Sequence, residues 1–141
     1  MLKYIRLNTL SLFCVAFVGC TIFAKVATPV HIHHIHINGQ RSINPLELHA
    51  VVGEEIRWHN DLAKPIYLGL LTSQPMQQVG CDKGFTTWYG SMREMVTIPA
   101  SSYVSLCFLQ PQKVHYNIWT DLADPVHSMS PTAIIHLDRA T

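Results

Sequence analysis

From residue 30 onward, apolar and polar positions alternate in short runs instead of recurring at helical spacing. The runs fall at 30–37, 46–51, 55–60, 66–71, 95–98, 103–109, 114–119 and 133–138. Each is rich in β-branched or aromatic residues and bounded by Gly, Pro, Asn or Asp, which predicts strands. Period two is clearest in Leu46-Glu47-Leu48-His49 and Glu55-Ile56-Arg57-Trp58, as expected of strands with one wet face. Asn38-Gly39, Val52-Gly53 and Pro99-Ala100 supply turns or strand ends. The stretch 72–94, rich in Gln, Gly and Ser, shows no such pattern and predicts a long connection, functional or carrying a short element of its own. About eight strands over this length make a sandwich or a small barrel. Trp58, Trp88 and Trp119 are expected to pack in the core or at its rim.

The N-terminus follows a different rule. Lys3 and Arg6 precede an uncharged apolar run over residues 10–24, the layout of a secretory signal helix. That run is shorter than the ~20 residues needed to cross a bilayer. Phe17-Val18-Gly19-Cys20 resembles the lipobox of bacterial lipoproteins, although Phe17 stands where Leu is usual. The expected organisation is a signal at 1–19, a tether at 20–29 and a domain at 30–141, with Cys20 lipidated. Ordinary cleavage near residue 24 and an uncleaved anchor are the alternatives. The expected location is the periplasm or an outer-membrane-anchored position in a bacterial envelope. There the membrane is reached through the lipid, and an envelope protein is a candidate partner.

Hydrophobic residues make up 48% of the 141 and charged residues 13%, with a formal net charge of +1. This composition excludes a disordered tail and gives no electrostatic case for nucleic acid. No Ser-His-Asp or Cys-His nucleophile pattern and no Gly-rich phosphate loop is visible, so the chain is read as a binding or structural protein and not an enzyme.

Nine histidines are the compositional oddity, and four lie in His31-Ile32-His33-His34-Ile35-His36-Ile37. On a strand, His31 and His33 share one face while His34 and His36 share the other. Side chains two apart on one face are about 6.5–7 Å apart, near enough to chelate one ion, and imidazole suits copper and zinc. Each face offers two ligands, to be completed by His49, His59 or a second chain. The bland alternative is an edge strand whose isoleucines pack and whose histidines are solvated. Met76, Met92, Met95 and Met129 are either a thioether set for Cu(I) or core gap-fillers.

Export removes Cys14 with the signal, and lipidation caps Cys20. Cys81 and Cys107 then remain as the two free thiols, which in an oxidising compartment pair as a disulfide. The alternative is a buried Cys107 and an exposed, reactive Cys81.

Four segments resemble the cupredoxins, the fold of blue copper proteins. They are Ile43-x-Pro45-Leu46-x-Leu48, then Val52-Gly53-Glu54-x-Ile56-x-Trp58-x-Asn60, then Val96-Thr97-Ile98-Pro99-Ala100 running into Leu106-Cys107-Phe108, and finally Gln110-Pro111-x-x-Val114-x-Tyr116. The resemblance covers residues 43–138 and implies a Greek-key β-sandwich. It also implies a type 1 copper site of two imidazoles, a thiolate and a weak axial thioether. His127 and Met129 echo the family's last-loop ligands. Pro65 or Ile66 stands at the place of the first family histidine, and Ile118 at that of the cysteine. The expected function is therefore an envelope binding or structural module without a complete type 1 site. A copper- or zinc-binding protein using His31–His36 is the alternative, and an electron-transfer cupredoxin comes third.

Overall fold

In the computed structural model, which describes residues 31–72 and 78–139, the alternating runs form ten strands and one helical turn. The strands are β1 (Ile32–Gly39), β2 (Ser42–Asn44), β3 (Glu47–Val51), β4 (Glu55–Asn60), β5 (Ile66–Leu70), β6 (Val79–Lys83), β7 (Met95–Ile98), β8 (Tyr103–Phe108), β9 (Gln112–Trp119) and β10 (Ala133–Asp138), with helix α1 (Pro125–Ser128) before the last. The signal helix, the tether, Cys20 and Met76 lie outside the described residues.

Two five-stranded sheets face each other, one ordered β2-β1-β4-β8-β6 and the other β3-β10-β9-β5-β7. The β1/β4 and β3/β10 pairs are parallel, and the remaining pairs are antiparallel. Alternate residues point into the space between the sheets, as pleating requires. Ile35, Ile37, Ile56, Trp58, Leu106 and Phe108 of the first sheet are buried against Ile66, Leu68, Val114, Tyr116, Ile118 and Ile135 of the second. Trp58 meets Tyr116 edge to face at 5.8 Å between ring centres and so joins the two layers. Truncating such a side chain to alanine costs about 3–5 kcal/mol.

All eight predicted strands are present, and the differences are local. The turn expected at Asn38-Gly39 comes later, because β1 runs to Gly39 through an irregularity in its pairing with β2. Gly53 turns the chain between β3 and β4 at φ +90°, a conformation open to glycine, and its N–H donates to Phe108 O at 2.8 Å. β2 has only three residues, and β6 (Val-Gly-Cys-Asp-Lys) has no apolar alternation, so neither carries a periodic signal. What holds β6 is its pairing with β8 and the disulfide between Cys81 and Cys107, whose Cα atoms are 4.8 Å apart. The two cysteines are direct cross-strand partners, and that spacing is ordinary for a bridge. Trp88 departs from expectation. It is 93% exposed and packs edge to face with Tyr89 in the connection that follows β6.

Candidate metal-binding faces

The sandwich end where the cupredoxin resemblance expects copper is built around hydrocarbon. Asn60, buried at the end of β4, donates from Nδ2 to the carbonyls of Lys64, Ile98 and Pro99 at 2.8–3.1 Å. Its Oδ1 accepts from Leu62 N at 3.0 Å. These bonds close the 61–65 loop and deliver Ile66 into the core, fully buried and paired with Ile98. Ile118, also fully buried, exchanges bonds with Ser130, whose N–H donates to Ile118 O and whose Oγ accepts from Ile118 N. His127 sits on α1 with its side chain 82% exposed and its Nδ1 2.9 Å from Asp124 Oδ1. Met129 is half exposed and forms an isolated backbone bridge with Trp119. Among the described residues, His127 belongs to no convergent group of three metal-ligating side chains.

The histidine strand divides its side chains as the alternation predicts. His33 shares the inward face with Ile35 and Ile37 at the open end of the sandwich. There it meets Glu54 Oε2 at 2.7 Å, with the His31 ring 4.5 Å away. Glu54 also accepts from Val51 N at 2.8 Å; this bond and the His33 contact hold its carboxyl below the ordinary glutamate range. His34 and His36 are exposed on the outer face, where β4 supplies His59 as the register partner of His36. His34 Nδ1 lies 2.8 Å from His59 Nε2, and the His36 ring stacks on His59 at 4.9 Å and 14°. His36 Nδ1 is 2.8 Å from Asp61 Oδ2. Burial, followed by the neighbouring His34 and His36, pushes the pKa of His59 below its ordinary value, which favours neutral imidazole at pH 7.

The sequence matches no protein-family model and no curated protein. Solved structures do match. An oxidised methionine-to-leucine mutant of amicyanin superposes with a TM-score of 0.50 at 16% identity, over 75% of this chain and 81% of that one. A purple cupredoxin from Nitrosopumilus maritimus aligns at 13% identity and a TM-score of 0.47, over 75% of this chain and 99% of that one. The chain has the cupredoxin fold.

Within this cupredoxin framework, the structure brings His34 and His36 together with His59, and sets His31 and His33 apart beside Glu54. An open groove of about 470 Å³ runs past His31, His33, His49, Glu54 and Asp138. Cys107 is held by Cys81 and offers no thiolate. The methionines are dispersed: Met92 packs against the core, whereas Met95 and Met129 are half exposed. Nothing in the residue pattern pointed to Asp61 beside His36, nor to a grouping of Glu47, His49 and His136 on the outer face of the second sheet. Both depend on strand register, and the β3/β10 pair joins residues nearly ninety positions apart.

Proposed function

We propose that this chain is an exported, lipid-anchored module of cupredoxin fold that binds copper or zinc through surface imidazoles and has no type 1 centre. The observation that carries this reading is the contact of three imidazoles from adjacent strands, with His34 Nδ1 2.8 Å from His59 Nε2 and His36 stacked on His59. Three imidazoles match the usual count for a divalent ion with one position left open, although their ligand nitrogens do not all converge as the side chains stand. His34 and His36 are exposed, so their rings reorient toward an ion without disturbing the core. Asp61 engages His36 Nδ1 and leaves Nε2 as the metal-facing nitrogen, the common carboxylate–histidine arrangement.

The buried Ile66 and Ile118 support the loss of the type 1 site, since neither side chain has a lone pair to donate. With Cys107 in a disulfide, the reading includes no electron transfer and no enzymatic step. Cys20 is the proposed lipid attachment, which places the module in the periplasm or at the outer membrane. Its near-neutral charge gives nucleic acid no role. A second reading, a metal-free module that docks an envelope protein, is favoured by the exposed Trp88–Tyr89 pair, because aromatic side chains dominate binding hot spots.

Calorimetric titration of the full chain with Zn(II) and Cu(II), alongside a His34→Ala, His36→Ala, His59→Ala variant, tests the metal reading. The expected result is loss of one binding event at unchanged fold. Identical isotherms for the two proteins would move function away from this face.

A further inference from the structure

The outer face of the second sheet carries a separate convergence of metal-ligating atoms. β3 and β10 run parallel, with His49 and His136 as direct register partners. Their rings stack at 4.5 Å and 10°. Glu47 lies two residues before His49 and therefore on the same face of β3. Its Oε1 is 2.6 Å from His136 Nε2 and 4.0 Å from His49 Nε2. One ligand atom from each of the three residues lies within 4.8 Å of the other two.

We infer that Glu47, His49 and His136 form a second site for a divalent transition ion, Zn(II) or Cu(II), independent of the His34–His36–His59 face. Two imidazoles and a carboxylate with an open fourth position are an established donor set for zinc. Bonds of about 2.0–2.2 Å in tetrahedral geometry put ligand atoms roughly 3.3–3.5 Å apart. The contacts of 2.6 and 4.0 Å bracket that value, so small side-chain rotations suffice. The mobility is suitably divided. The side chains of Glu47 and His49 are 59% and 69% exposed and free to adjust, whereas that of His136 is 18% exposed and fixed by its neighbours. A bound ion replaces the proton that His136 Nε2 now shares with the carboxylate, and each histidine, bound through Nε2, takes the neutral Nδ1–H tautomer. One local charge opposes the site: Lys113 on β9 is the cross-strand partner of His136. Replacing it should tighten binding by roughly two- to five-fold, the range of exposed charge pairs.

The test is a Zn(II) titration of the full chain followed by the imidazole nitrogen resonances, which separate the two faces residue by residue. His49 and His136 should shift together, and should do so equally in the His34→Ala, His36→Ala, His59→Ala variant. In that background, His49→Ala should weaken binding by about ten-fold or more. Glu47→Gln, at an exposed position where misfolding is not a concern, should do the same, and Lys113→Gln should strengthen binding. Resonances of His49 and His136 that stay still at saturating Zn(II), or undiminished affinity in His49→Ala, would overturn the assignment. Either failure would leave the first-sheet reading standing, because the proposed ligands are different.

Discussion

His34 Nδ1 and His59 Nε2 lie 2.8 Å apart across the parallel β1/β4 pair, although the two residues are not register partners. A contact that short between two imidazoles needs one N–H and one lone pair, so at least one ring is neutral. The histidines of β1 should therefore differ in their effect on metal affinity. His34→Ala or His59→Ala is expected to weaken Zn(II) binding at this face by about ten-fold or more, and His31→Ala to leave it unchanged. Calorimetry on the three single variants checks the order. Equal losses from all three would point to the whole strand as a diffuse polyhistidine surface.

Glu54 ties the β3–β4 turn to β1 through Val51 N and His33. Its carboxyl is depressed in the folded state, so its stabilising contribution is present above the ordinary value of 4.5 and is lost as pH falls through the lower folded value. Glu54→Gln should cost about 1 kcal/mol at pH 7, as expected for weakened hydrogen bonds to a charged acceptor. The gap to the parent should close below the glutamate range. Urea unfolding of both proteins from pH 7 down to pH 3 measures this; a gap that widens in acid would contradict it.

Among the described residues, neither the buried Tyr116 hydroxyl nor the buried Trp58 indole N–H makes a well-formed hydrogen bond, although the two groups face each other. Burial pushes the Tyr116 phenol well above its ordinary range, with the facing Trp58 indole opposing only in part. Removing an unpaired buried hydroxyl relieves a desolvation cost. Tyr116→Phe should thus be neutral or stabilising by about 0.5–1 kcal/mol in thermal unfolding. A loss above about 1 kcal/mol would mean the hydroxyl has a partner.

The Cys81–Cys107 bridge closes a loop of sequence separation 26 and anchors a strand that has little apolar content of its own. In the chain-entropy account, losing it costs about 3–4 kcal/mol. The double Cys→Ser variant should unfold at distinctly lower denaturant, with β6 amides losing their exchange protection first. Unchanged stability would leave pairing with β8 as the sole restraint on β6.

Much of the fold was legible because one buried face per strand imposes period two. The alternation of Ile56 and Trp58 with Glu55 and Arg57 was readable from spacing, and so was the split of His33 from His34 and His36, but not which face of β1 is buried. What was not legible depends on register between distant strands. His59 stands beside His36 only because β4 is parallel to β1, and His136 stands beside His49 only because β10 returns next to β3. Of β6, the sequence allowed a short element within 72–94 and the bridge from Cys81 to Cys107, but not its bounds, because its residues follow no amphipathic rule and a covalent bond and a partner strand position them. Trp88 shows the limit of composition, since a large aromatic in a connection need not find a core.

The most direct test of the central claim, metal bound by surface imidazoles in a cupredoxin fold without a type 1 centre, is to load the full chain with Cu(II). Electron paramagnetic resonance and visible absorption are then recorded on the same sample. The account predicts retained copper with nitrogen hyperfine structure and no intense thiolate-to-copper absorption, with the nitrogen signal reduced in the His34→Ala, His36→Ala, His59→Ala variant. An intense visible thiolate band, or copper lost entirely on gel filtration, would contradict it.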